Sequence, residues 1–227
     1  MGKQIKDKRI EAYNRIKRYI LTNQFGPGQQ LGHEYLKRVI GVSTTPIREA
    51  LCRLAEDGYI VQIKNRGYFV SDLHSKELEN LYEIREALEL FAMKNTVRDG
   101  QQINKTLRKC IEKTMDLYSR YAHEQPHRYR LHLDRRFHVA LAKLSGNEDL
   151  CKMLDSTFEK VNYKRKLVEL YAQGGVKGAE EHYRILDLLL ARKENNLLEL
   201  LLNHIRRAKE RVLTILRARE EYMKSGT

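Results

Sequence analysis

The sequence predicts a mainly α protein: three short helices closed by a β-hairpin, then an all-α bundle of six antiparallel helices. Three observations predict it. Apolar residues recur at i, i+3, i+4 and i+7 along most of the 227 residues. Only Tyr59 to Val70 is rich in β-formers around a glycine-containing turn. The three prolines are Pro27, Pro46 and Pro126, so most of the chain lacks helix breakers.

The elements follow in order. Tyr13, Ile16, Tyr19 and Ile20 give a first amphipathic helix, stopped by Gly26-Pro27-Gly28. A short second helix turns Leu36, Val39 and Ile40 inward and Lys37 and Arg38 outward, and ends at Gly41. Ser43 is expected to cap the third helix through its hydroxyl, with Pro46 in the first turn, where no intrahelical bond is lost. Ile47, Ala50, Leu51 and Leu54 form its buried face, leaving Thr44, Thr45 and Arg48 outside. Tyr59–Ile63 and Tyr68–Val70 then flank the turn Lys64-Asn65-Arg66-Gly67. A helix offering hydroxyls and an arginine from its first turn suits the DNA major groove, and a basic hairpin beside it makes a winged helix-turn-helix.

Residues 10–70 resemble the DNA-binding domain of the GntR family of bacterial transcriptional regulators. The matching residues are Pro27-Gly28, Gly41-Val42-Ser43, Thr45-Pro46, Arg48-Glu49-Ala50-Leu51, Leu54, Gly58 and Gly67. The resemblance implies base reading by Arg48 and minor-groove contacts by the wing residues Asn65, Arg66 and Gly67. Lys37, Arg38, Ser43, Thr44 and Thr45 complete the expected DNA-binding set. The family usually carries an arginine where this chain has Thr44, so the operator is expected to depart from the family's usual palindrome.

The formal net charge of +13 and pI near 9.6 suit a polyanionic partner. Charge does not localise the DNA surface, because the first 72 residues and the remainder share the excess almost equally. No segment approaches the ~18 apolar residues that span a bilayer, and the expectation is a chain without a signal peptide before the first helix. Cys52, Cys110 and Cys151 are odd in number and lack paired metal spacing, which favours a reduced, cytoplasmic setting. Residues 1–72 are read as one domain and 73–227 as another.

After the connector Ser71-Asp72-Leu73-His74, Ser75 is expected to cap the first bundle helix. Helices are read near 76–98, 101–124, 127–145, 147–170, 178–192 and 195–222. The breaks fall at Asp99-Gly100, Gln125-Pro126, Ser145-Gly146-Asn147, Gly174-Gly175 and Lys193-Glu194-Asn195. Polar residues interrupt three of the inward stripes. Leu131, Asp134, His138, Leu141 and Ser145 form one; Ala179, His182, Leu186 and Leu189 the next; Leu197, Leu201, His204, Ala208 and Val212 the third. A lone inward histidine is more often a hydrogen-bonded core residue than a ligand, and His33, His74, His123, His127 and His132 are read so. Four inward groups on three helices are harder to dismiss, and the pattern leaves two readings open: hydrogen-bonded core residues, or a cation that satisfies a buried carboxylate.

Residues 76–219 resemble the FCD ligand-binding domain that follows the winged domain in one large GntR subfamily, in its shorter VanR-like branch. The motifs are Asp134-x-x-Phe137-His138, Ser145-Gly146-Asn147, Glu181-His182-x-x-Ile185 and His204-Ile205. In metal-binding members these motifs supply one aspartate and three histidines, which implies Asp134, His138, His182 and His204 as ligands here. Three imidazoles and a carboxylate suit Zn²⁺, Ni²⁺ or Mn²⁺.

Arg85 and Arg165 also fall on apolar stripes. Facing the metal, they would clamp a carboxylate bidentately, with Tyr82, Asn162 and Tyr163 adding hydrogen bonds. Arg85 equally suits a pair with Glu89 one turn on, and either side chain can snorkel outward. Family members sense small organic acids. The expectation is therefore a homodimeric, ligand-responsive repressor that binds a pseudo-palindromic operator in double-stranded DNA and a small carboxylic acid. Two alternatives stay open: a metalloenzyme built on the Asp-His-His-His set, and a regulator whose metal is only structural. The first lacks a convincing general base and leaves the winged domain without a role.

Overall fold

The computed structural model describes residues 2–72, 74–98, 105–120, 127–168 and 176–225. The breaks read at Asp99-Gly100, Gln125-Pro126 and Gly174-Gly175 lie outside these residues, as do Leu73 and His123. The side chains of Cys110, His127 and Val168 are likewise not described. The chain divides into two compact units, Met1–Leu73 and His74–Thr227.

In the first unit, α1 (Gly2–Leu21), α2 (His33–Ile40) and α3 (Thr44–Glu56) precede the hairpin β1 (Ile60–Ile63) and β2 (Gly67–Val70). Ile16, Ile20, Leu36, Ile40, Ile47, Leu51 and Leu54 are fully or almost fully buried between the helices. α2 stops at Gly41, whose φ of 74° returns its N–H to the Lys37 carbonyl. Arg15 of α1 also donates to the last carbonyls of α2, at 2.5 Å to Ile40 and 3.3 Å to Val39. These bonds fix the turn into α3.

Ser43 has the extended backbone of a cap, but its hydroxyl makes no capping bond. Pro46, at the third helical position, lacks one of the two N–H groups that such a cap bonds. The hairpin also differs by one residue at each end. Tyr59 precedes β1, and Gly67 pairs with Ile63 as the first residue of β2, not as part of the turn. The loop is Lys64-Asn65-Arg66, with positive φ at Asn65 and Gly67. A feature absent from the sequence reading is the segment after the Pro27-Gly28 turn, which lies along β2. Gly28 and Leu31 donate to the Val70 and Tyr68 carbonyls, and Val70 donates to Gln29.

The second unit contains α4 (Ser75–Arg98), α5 (Lys105–Arg120), α6 (His127–Ala142), α7 (Glu148–Val168), α8 (Val176–Leu190) and α9 (Glu194–Ser225). Leu78, Ile111, Leu133, Phe137, Leu154, Phe158, Val161, Ile185, Leu197, Ile205, Val212 and Leu213 are buried in its core. α6 ends earlier than the periodicity implies. Lys143–Ser145 tighten into a 3₁₀ turn, and Gly146 closes it with φ 69°. Asn147 then caps α7 by accepting the Leu150 N–H at 2.9 Å. Ser75 does not cap α4. It is the first helical residue, and its N–H and hydroxyl donate at 2.6 and 2.7 Å to the carboxylate of Glu220, far along α9. An anion placed there also suits the positive end of the helix.

Gly41→Ala tests the α2–α3 turn. A Cβ meets nothing within 4 Å there, so the cost is the left-handed backbone alone. Urea unfolding should show a loss of about 1–2 kcal/mol; unchanged stability would contradict the turn's role.

Candidate functional site

Three helices of the second unit bring the four expected ligands together. α6 supplies Asp134 and His138 one turn apart, α8 supplies His182, and α9 supplies His204. Each is buried, and one ligand atom from each lies within 4.8 Å of all the others. Asp134 Oδ1 is 3.7 Å from His138 Nε2 and 3.5 Å from His182 Nε2. Phe137 stacks on the His182 ring at 4.0 Å between centroids, and Phe158 stacks on His138 at 5.4 Å. The imidazoles are therefore held by packing, not by solvent.

Two carboxylates the sequence reading did not assign stand behind these ligands. Glu89 Oε2 on α4 lies 2.6 Å from His138 Nδ1. Glu181 Oε2 lies 2.8 Å from His204 Nδ1. Each leaves the ring's other nitrogen toward the centre, as outer-shell carboxylates do for metal-ligating histidines. Arginines hold both. Arg85 Nε is 2.9 Å from Glu89 Oε1, and Arg207 is 2.7 Å from Glu181 Oε1. The signals were present in the Arg85/Glu89 spacing and in the Glu181-His182 pair. Which helix each carboxylate would face was not.

Electrostatics follow the same pairs. Burial pushes the Asp134 carboxyl up, but the His182 hydrogen bond and the charges of His138 and Arg165 outweigh it, leaving it well below the usual range. Burial likewise opposes ionisation of Glu89, yet His138 and Arg85 bring it to about 2. Glu181 also sits at about 2, with burial outweighed by hydrogen bonds from His204 and Arg207. Burial pushes His182 and His204 down, only partly offset by their carboxylate partners, so both rings favour the neutral, ligating form. The donor set fits a borderline divalent cation. The buried Nε2 of His138 makes no hydrogen bond, which is the condition a metal would relieve.

All four residues expected to meet an effector point inward. Arg85 and Tyr82 are essentially inaccessible, and Asn162 and Arg165 are nearly so. Arg85 neither snorkels nor stands free: it pairs with Glu89 and lies 3.9 Å over the Phe158 ring and 5.2 Å over Tyr82. Arg165 reaches Asp134 Oδ2 at 3.3 Å, and Asn162 donates to the Leu131 carbonyl at 3.0 Å. Arg85 Nη1, the Tyr82 hydroxyl and Asn162 Oδ1 are buried without a hydrogen-bond partner.

The winged unit presents its expected residues outward. Lys37, Arg38, Ser43, Thr44, Thr45, Arg48, Asn65, Arg66 and Gly67 are all exposed. Gln30 Nε2 donates to the Arg66 carbonyl at 2.7 Å, which braces the wing tip, and the Arg66 guanidinium lies 5.5 Å from the Phe69 ring centroid.

Residues 8–70 match the family model of bacterial regulatory proteins, gntR family, and residues 80–207 match that of the FCD domain. The chain belongs to the GntR family. This GntR protein is 32% identical over 198 residues to the Nta operon transcriptional regulator of Aminobacter aminovorans, covering 87% of this chain and 90% of that one. It is 26% identical over 183 residues to the HTH-type transcriptional regulator McbR of Escherichia coli, covering 80% of each. The fold is shared with a GntR crystal structure from Rhodococcus sp. RHA1 (TM-score 0.73, 20% identity, 92% of this chain and 98% of that one). It is shared also with E. coli McbR/YncC (TM-score 0.72, 19% identity, 94% and 98%). The protein is thus a DNA-binding transcriptional regulator with an FCD domain, and its relatives are regulators, not enzymes. Among the described residues, no helix is long and apolar enough to cross a membrane.

Glu89→Ala should expose how much the buried pairs matter. It strands the Arg85 guanidinium without its counter-charge, and metal-free protein should lose about 3–5 kcal/mol in urea unfolding. A loss below about 1 kcal/mol would mean that the pair is replaceable by water.

Proposed function

We propose that this GntR regulator is a repressor whose helical domain holds a divalent cation and senses a small carboxylic acid. The convergence of Asp134, His138, His182 and His204 in one buried cluster carries the reading. Zn²⁺, Ni²⁺ or Mn²⁺ fits the three imidazoles and one carboxylate; when bound, it supplies positive charge and open coordination positions for an anion.

The charge balance supports an acidic effector. The carboxylates of Asp134, Glu89 and Glu181 are already matched by the guanidiniums of Arg165, Arg85 and Arg207. A divalent ion adds two uncompensated charges in a dry interior, which an organic acid can neutralise. Arg85 Nη1 and the Tyr82 hydroxyl donate to its carboxylate, and Asn162 Oδ1 accepts from a hydroxyl or amine. Arg165 keeps Asp134 oriented.

The DNA arm uses Ser43, Thr44, Thr45 and Arg48 in the major groove, Asn65, Arg66 and Gly67 in the minor groove, and Lys37 and Arg38 on phosphates. A homodimer presents two such units to a pseudo-palindromic operator. The acid acts through its different affinity for DNA-bound and free conformations, worth ~1–3 kcal/mol. Engaging Tyr82 and Arg85 on α4 gives it a lever on that helix.

Two experiments test the arms separately. In a thermal-shift screen of small carboxylic acids, metal-loaded protein should be stabilised by about 2.7 kcal/mol at 100 times the dissociation constant, and chelator-stripped protein should not. Equal stabilisation of both forms would leave the metal a structural role only. Arg48→Ala should weaken operator binding by about 1–3 kcal/mol and relax one base preference in fluorescence anisotropy. Unchanged affinity and specificity would remove Arg48 from base readout.

A further inference from the structure

The wing is a short ribbon whose tip is tied down from outside it. β1 and β2 pair through four residues each, the last pair being Ile63 opposite Gly67. A two-stranded ribbon of that length is marginal without a further contact. The segment after the Pro27-Gly28 turn supplies one, because Gln30 is bridged antiparallel to Phe69. Bridged partners turn their side chains to the same face, here the one opposite the buried Tyr68 and Val70. From that face the Gln30 side chain runs along the ribbon to its tip. Its Nε2 donates to the Arg66 carbonyl at 2.7 Å, across 36 residues of sequence. Within the tip, the Arg66 N–H donates to the Ile63 carbonyl at 3.0 Å. The Arg66 guanidinium lies 5.5 Å from the Phe69 ring centroid.

We infer that Gln30 is the positioning residue of the wing. By holding the Arg66 carbonyl it sets the direction in which the Arg66 side chain leaves the ribbon, and hence the wing's share of DNA affinity, without touching DNA itself. The inference rests on the wing contacts of the proposed function. The carbonyl that Gln30 holds belongs to the peptide joining Arg66 to Gly67. Gly67 has a φ of 93° and no Cβ to restrict it, so rotation of this peptide is opposed by little steric hindrance. A donor fixed on its oxygen removes that freedom before DNA arrives, and less ordering is then left to be done on binding.

Gln30→Met keeps the length of the side chain and removes the donor, so it tests the brace in the full chain. Trypsin should cut the free variant after Arg66 several-fold faster than the native chain, because the lost bond sits on the scissile carbonyl. Cleavage at other sites should be unchanged. The DNA probe is a duplex that the native chain selects from a random-sequence pool, read by fluorescence anisotropy. Gln30→Met should raise its dissociation constant about three- to tenfold. In an Arg66→Ala background the same substitution should change it less than about twofold, because the side chain it positions is gone.

Equal cleavage after Arg66, or native affinity in Gln30→Met, overturns the brace while leaving the wing contact. Faster cleavage at every site alike makes Gln30 a residue of general stability and overturns it too. A loss of affinity that persists in full in the Arg66→Ala background makes Gln30 a DNA contact, which contradicts the positioning role. Native affinity in Arg66→Ala alone removes Arg66 from the DNA interface, and this inference with it.

Discussion

Burying a carboxylate such as Asp134 costs several kcal/mol unless positive charge and hydrogen-bond donors surround it, and the helical domain is arranged around meeting that condition. Arg165 faces one oxygen of Asp134, and two imidazoles face the other. Those imidazoles in turn need partners, which places Glu89 behind His138; Glu181 does the same for His204. Each carboxylate then needs a cation, which Arg85 and Arg207 provide. The chain of requirements runs from one aspartate through α4, α6, α7, α8 and α9. Removing any link leaves a buried group without its partner.

That dependency gives α4 and α9 their importance. α4 carries Arg85 and Glu89 into the site and begins immediately after the connector, at Ser75. α9 carries His204 into the same site and, through Glu220, satisfies the first turn of α4. The two helices are thus joined at the charged cluster and at the α4 N-terminus, and along their length by Arg206–Glu86, Arg217–Glu79 and Arg98–Glu194. The winged unit is organised by an apolar core, and Ser71 is its one buried polar side chain among the described residues.

Much of this was readable from residue spacing. Periodicity located the helices because their apolar stripes are long and uninterrupted by proline, and the four ligand candidates stood out as polar residues on those stripes. Local geometry was less accessible. Ser43 has the residue type and backbone of a cap, yet Pro46 removes a donor it would serve. Ser75 looked like a cap because nothing in its neighbourhood announces Glu220, 145 residues away. Glu89 was visible only as a partner for Arg85, since its second contact lies on another helix. Asp134 captures Arg165, which spacing alone had left free to meet a ligand or turn outward. Sequence thus announces which face a residue occupies; the tertiary partner that completes its charge is set by helix packing.

The central claim is that the cluster holds a metal through Asp134, His138, His182 and His204. The most direct measurement is X-ray absorption spectroscopy of protein dialysed after loading with Zn²⁺, together with the metal content of the same sample. One ion per chain, with scattering from three imidazoles and added oxygen at distances of about 2.0–2.2 Å, is the predicted result. Loss of the metal on dialysis, or a shell without imidazole scattering, would contradict it.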